Sequence, residues 1–188
     1  MDYVDRALVS VSDTTGLVDL VTSLDALGFR LVATDGTTKF IKDAKVKVRV
    51  TKVETFTGFP AILGGLVKTL HPMIFGGVLA ARDLADHRRD MSKHGIKPFQ
   101  LVVVNLYDFV GNPSTANMDI GGHALIRSAM KNRAFVGILT SPSQYRDVID
   151  ELERDGELSS ATRLRLAREA AAYISAYDRA VEEWLNKL

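Results

Sequence analysis

Lys68-Thr69-Leu70-His71-Pro72 sets a lysine in a basic turn, and three more polar clusters follow it: Asn105-Leu106-Tyr107, Asp119-Ile120-Gly121-Gly122 and Lys131-Asn132. Together they offer two amines, one carboxylate and one phenol, a set suited to moving protons on a polar small molecule. No metal is expected. Cysteine is absent, and the four histidines, His71, His87, His94 and His123, never take the His-x-x-x-His spacing of a metal-binding helix. His87 and His94 flank charged residues on a polar helix and read as a solvated face; His71, in the lysine turn, is the better site candidate. Taken singly, each cluster has a plain structural explanation. Lys68 reads as a solvated loop charge, Asp119 as a helix cap, Tyr107 as a half-buried core tyrosine and Lys131 as a charge favoured at a helix end. Their order and spacing point instead to a site.

Two further loops stand beside this set. Ser12-Asp13-Thr14-Thr15 and Thr34-Asp35-Gly36-Thr37 each open a helix. Their hydroxyls can cap free backbone N–H groups. The same N–H groups, with the helix dipole, can cradle an anion. Neither loop is a Walker A or dinucleotide-binding sequence.

The elements that must hold these clusters alternate strand and helix. Residues 6–11 form a short apolar run, and Leu17, Leu20, Val21, Leu24 and Leu27 keep helical spacing up to the stop signal Gly28. Residues 30–33 predict a second strand and residues 38–43 a short helix. Residues 46–53 alternate apolar and basic, the period of a half-buried edge strand. Residues 54–77 are rich in Gly, Pro and Thr and predict a long irregular segment, of the kind that is often functional. Residues 78–80 predict a strand and 84–94 a helix. Leu101-Val102-Val103-Val104 is apolar on both faces, as in a buried parallel sheet. Residues 121–132 predict a helix and 135–139 a strand. Ser141-Pro142-Ser143-Gln144 carries a capping signature for a helix reaching about residue 154. Residues 159–188 predict a long amphipathic helix with Ala167, Ala170, Ile174, Tyr177, Val181, Trp184 and Leu188 on one face. That face either docks on the chain's own core or shares in a homodimer contact.

This order predicts an α/β fold, a mostly parallel sheet flanked by helices in three layers. Ligands of such folds sit outside the carboxyl ends of the strands, where the loops at Ser12, Thr34 and Asn105 all begin. The 188 residues suit one domain, 1–188, with no linker or repeat. A net charge of +1 without a basic stripe argues against nucleic acid and anionic membrane as partners. The start is acidic and lacks a signal-peptide pattern, and no apolar stretch approaches a membrane span, so the cytoplasm is the expected location.

The chain resembles the IMP cyclohydrolase domain, the amino-terminal half of the bifunctional enzyme that also carries AICAR transformylase. The matching stretches are Ala7-Leu8-Val9-Ser10-Val11-Ser12-Asp13, Thr57-Gly58-Phe59-Pro60, Val67-Lys68-Thr69-Leu70-His71-Pro72, Val104-Asn105-Leu106-Tyr107, Asp119-Ile120-Gly121-Gly122, Lys131-Asn132 and Ala176-Tyr177-Asp178. They run in order through nearly the whole chain. The resemblance implies a methylglyoxal-synthase-like fold and a stand-alone domain without the transformylase half. It also implies closure of a purine ring on a ribonucleotide: a carboxamide nitrogen attacks a formamide, and water is lost without metal or cofactor. Lys68, Tyr107, Asp119 and Lys131 would be catalytic. Asp119 would orient or deprotonate the carboxamide, Lys131 would meet the formyl oxygen, and Lys68 and Tyr107 would complete the proton network. Ser10, Ser12, Thr14, Thr34, Gly36, Thr37, Thr69, His71, Asn105, Ile120, Gly121 and Gly122 would bind substrate.

The departures from the family pattern cluster. Thr14 stands where the family usually has lysine, Thr34-Asp35-Gly36-Thr37 where it has Ser-Gly-Gly-Thr, and Leu66 where it has arginine. Phe75, Asp108 and Arg133 replace histidine, proline and histidine. Thr14, Asp35 and Leu66 fall where the family cradles the 5′-phosphate. Two charged donors at roughly 1.5–3 kcal/mol each are missing. A loss of about 4 kcal/mol weakens binding about a thousandfold. Lys39 or Arg82 could compensate. Three readings follow. The chain is an IMP-forming cyclohydrolase, or a repurposed relative closing a similar ring on a different or non-phosphorylated nucleoside-like substrate, as in nucleoside-analogue biosynthesis, or a non-catalytic metabolite-binding domain. The retained proton-transfer set argues against the last.

Overall fold

A computed structural model describes residues 4–188. The elements run β1 (Arg6–Ser10), α1 (Leu17–Ala26), β2 (Arg30–Ala33), α2 (Asp35–Asp43), β3 (Val50–Lys52), α3 (Val53–Thr57), α4 (Pro72–Leu79), α5 (Ala85–His94), β4 (Leu101–Val104), α6 (Gly121–Lys131), β5 (Gly137–Leu139), α7 (Tyr145–Asp155) and α8 (Ser160–Leu185). The five strands form one parallel sheet in the order β3-β2-β1-β4-β5. Leu8 lies opposite Val32 on one side and Val102 on the other. All four residues of β4 are buried, as a strand covered on both faces must be. Each parallel pairing needs a crossover, and the helices of those crossovers flank the sheet. Of these, α1 packs beside α7, and α6 lies between α4 and α8.

The expected elements are present, with corrections to some bounds and one element type. β3 is an edge strand, as its alternation predicts, but spans Val50–Lys52 only: its partner β2 offers just Leu31, Val32 and Ala33 for pairing. Residues 78–80 end the helix α4 instead of forming a strand. Pro72 at its first turn and the His71 cap set that helix, and a short apolar run alone does not separate strand from helix. The strand expected from residue 135 begins at Gly137, because the N–H groups of Phe135 and Val136 turn back to Asn132 O. The segment 54–77 is also less irregular than expected, holding α3, a turn closed by Ile62 and Val67, and the start of α4.

The carboxy-terminal helix docks on its own core. Leu166, Ala167, Ala170, Ile174 and Tyr177 are buried, Val181 and Trp184 pack at the edge, and Leu188 is exposed. Among the described residues no helix is long and apolar enough to cross a membrane.

Candidate functional site

β1, β2 and β4 end at one rim, and the chain leaves each strand with a polar residue: Ser10, Thr34 and Asn105. A cavity of about 380 Å³ opens there. Ser10, Ser12, Thr34, Gly36, Thr37, Lys68, Thr69, Asn105, Tyr107, Asp119, Ile120, Gly121 and Gly122 all line it, so three of the four proposed catalytic groups and ten further expected residues share one space.

Asn105 builds the rim. Its Oδ1 accepts the N–H groups of Ser12 at 2.6 Å and Asp13 at 2.8 Å, and its Nδ2 donates to Asp13 O at 2.9 Å. The amide expected to hold substrate is therefore engaged in fastening the loop after β1. Thr34 and Thr37 are buried, and their hydroxyls lie 3.2 Å apart; Thr37 Oγ1 also accepts the Val11 N–H. Helix α2 begins at Asp35, three residues earlier than expected, so Gly36 and Thr37 belong to its first turn, where backbone N–H groups have no helical acceptor.

The opposite wall is set by close approach. A Cβ at Gly121 would stand 2.8 Å from Thr69 Oγ1, and one at Gly122 would stand 2.8 Å from both Asp119 Oδ2 and Leu106 Cδ2. The two glycines let Asp119 fold over the start of α6, where its Oδ1 accepts the Gly122 N–H at 2.7 Å. Asp119 thus meets the start of α6 as a capping residue would, and it also lines the cavity. Burial pushes the Asp119 carboxyl above the usual carboxylate range, while the Gly122 N–H and the Lys68 charge pull it partly back. A carboxylate in that state is a stronger base than a solvated one. Lys68 is half-buried and forms no salt bridge among the described residues. Tyr107 lines the cavity with 44% of its surface exposed, not as a core tyrosine.

Three expected residues lie elsewhere. Lys131 is exposed at the far end of α6. At 1.5 Å per residue that is about 15 Å along the axis from Gly121. His71 caps α4, its Nδ1 accepting the Met73 N–H at 3.2 Å, and does not line the cavity. Thr14 is outside the lining too; its carbonyl accepts the Leu17 N–H. Nor do the candidate compensating cations reach the rim. Lys39 is exposed on α2 and absent from the lining. Arg82 donates to Phe99 O and Phe135 O at the amino-terminal end of the sheet. It lines a separate cavity there, of about 440 Å³, which none of the candidate catalytic residues faces.

Sequence reading missed two braces. Tyr177 OH accepts the Asp119 N–H at 2.7 Å and donates to Asn117 O at 2.9 Å. Tyr173 OH accepts the Leu106 N–H at 2.9 Å. Both come from α8, where helical spacing marks Tyr177 as an apolar-face residue and gives no sign of its hydroxyl's partner.

A family model described as MGS-like domain matches residues 16–134, and one described as AICARFT/IMPCHase bienzyme matches residues 129–188. The bifunctional purine biosynthesis protein PurH of Rhodopirellula baltica is 44% identical over 192 residues, covering 97% of this chain. The protein of that name from Ruegeria pomeroyi is 47% identical over 191 residues, again covering 97% of this chain. This chain spans 36% of the length of each of these two relatives. A crystal structure of ForH superposes with a TM-score of 0.87 at 35% identity, covering 97% of both chains.

Proposed function

This chain belongs to the MGS-like domain family, and from that premise we propose that it is a cyclohydrolase closing a purine-type ring, formyl-AICAR ribonucleotide to IMP plus water. The observation that carries the reading is the gathering of Lys68, Tyr107 and Asp119 around one cavity. The match of residues 129–188 to the AICARFT/IMPCHase model and the similarity to PurH support it.

The reacting groups are carried on one substrate, so holding them in contact supplies much of the rate. Asp119 faces the carboxamide and takes its proton as the nitrogen attacks the formyl carbon. The formyl oxygen becomes an oxyanion, then a hydroxyl on receiving that proton, and leaves as water on receiving a second one, while the former formamide nitrogen gives up its own proton and forms the ring C=N bond. With Lys131 at the far end of α6, the charge meeting that oxygen is assigned to Lys68, whose ammonium stabilises the oxyanion and returns a proton to the leaving group. Tyr107 links the two by proton relay. No metal or cofactor enters this scheme, and the proposed location is the cytoplasm. A homodimer is proposed too, to be read by sedimentation of the purified protein.

A second reading is a similar closure on a substrate without a 5′-phosphate. It is favoured by Leu66, which lines the cavity wall while 74% exposed, and by Asp35 beside Gly36. Ring closure followed by ultraviolet absorbance, with formyl-AICAR ribonucleotide and its nucleoside side by side, separates the two. Lys68→Ala and Asp119→Ala are expected to lose activity on the preferred substrate. Near-full activity in both would sink the assignment, and no turnover of either substrate would leave the metabolite-binding reading.

A further inference from the structure

Lys52 ends β3 and lies in register with Ala33, the last residue of β2. One residue further the chain turns through Thr34 into α2. Asp35, in the first turn of α2, comes within reach of that strand end, and Lys52 Nζ donates to Asp35 Oδ1. Folding depends little on this contact. Its side chains are 43% and 63% exposed, and exposed ion pairs add little to stability. Its place is what gives it meaning. Thr34, Gly36 and Thr37 flank Asp35 and line the cavity, and Lys68 lies within electrostatic reach of the same carboxylate.

Lys68 and Asp119 are opposite charges that feel each other across the cavity wall. Asp35 and Lys52 pair just outside that lining, beside α2, where Lys42 and Lys68 also act on Asp35. A dianionic group arriving at the α2 end meets hydroxyls and backbone N–H groups. It also meets a carboxylate already in the position the helix dipole favours for an anion.

We propose that Asp35 and Lys52 form a specificity pair for the end of the substrate that faces α2. Asp35 holds the electrostatic place of a ligand anion, and Lys52 is the cation released when a phosphate displaces it. A ligand ending in a hydroxyl binds with the pair intact, donating to Asp35. A ligand ending in a phosphate breaks the pair, gains Lys52 and faces the repulsion of Asp35. The ligand's identity rests on the ring-closure reading; the behaviour of the pair toward phosphate does not.

The test is calorimetric binding of IMP, inosine and inorganic phosphate to the wild type, Asp35→Asn and Lys52→Gln at low salt, with thermal melts as a folding control. In Asp35→Asn, IMP and inorganic phosphate are expected to bind about tenfold tighter, the size of one charge contact, while inosine stays unchanged or weakens. In Lys52→Gln, IMP is expected to bind several-fold weaker and inosine unchanged. Both effects should shrink at high salt, as for partly exposed charges. If IMP and inosine move together in Asp35→Asn, or neither IMP nor phosphate gains, the pair is only a surface salt bridge and the proposal is overturned. The phosphate arm keeps the two readings apart. A phosphate gain without ring closure sinks the cyclohydrolase reading alone, and ring closure without a phosphate gain sinks the pair alone.

Discussion

The two ends of the rim cavity are built differently. Around Asp119 the backbone is braced: glycines at 121 and 122 admit contacts no Cβ allows, and hydroxyls of α8 hold the backbone of residues 106 and 119. Around α2 and the 62–67 turn the wall stands open. Leu66 is 74% exposed, Leu63 at 70% exposure holds a positive φ of 53°, and the Asp35–Lys52 pair lies near the surface. Reaction geometry tolerates little misplacement, so the end that must align reacting atoms is fixed to the core. An exposed wall can change its side chains with little loss of stability. In the proposed reaction, the braced end sets the chemistry and the open end selects what enters.

The largest effect should come from breaking the braced end at its base. Asp119→Asn keeps an acceptor for the Gly122 N–H but cannot take a proton, and kcat should fall about 10²–10⁴-fold. Its stability should move the other way. The folded carboxyl titrates above its unfolded value, so its protonated form favours folding, a contribution present at low pH and lost as pH rises through the folded value. At neutral pH the buried charge opposes folding. The Tm of Asp119→Asn at neutral pH should therefore equal or exceed that of the wild type; a lower Tm would mean the carboxylate is needed to hold the loop. For the same reason, the acid limb of the wild-type pH–rate profile should lie above the ordinary aspartate range.

Gly122→Ala comes next. Its Cβ would force Asp119 or Leu106 aside, and a displacement approaching 1 Å costs about 10²-fold in rate. Activity within twofold of wild type would show that this end is not braced as described. Tyr177→Phe removes one hydroxyl from two backbone partners and should cost about 1 kcal/mol of stability, with a several-fold loss of kcat. The open end should respond in binding and leave stability alone. Leu66→Arg should leave Tm unchanged and lower KM for the phosphorylated substrate about tenfold, without touching the nucleoside. Equal changes for both substrates would erase the distinction between the two ends.

Much of this was legible in the sequence because the signals were local. The buried β4 run, the helical spacing of α1 and the Ser141–Gln144 capping box depend on neighbours within a few residues, and the structure has each. That three loops would meet at one rim followed from strand order alone, since parallel strands end on the same side. Other features depended on partners far along the chain. Lys131 and Asp119 sit close in sequence, yet one helix separates them because they lie at its opposite ends. His71 reads as a site residue until its ring is seen to cap α4. Tyr173 acts 67 residues from its partner. Residue types and order by themselves determined the fold class and named a candidate proton-transfer set. Only the tertiary structure decided which of those groups share a cavity, that Asn105 is a brace, and that Lys52 stands against Asp35. Short-range periodicity encodes the elements, whereas the distance between two side chains is settled by the packing of every element between them.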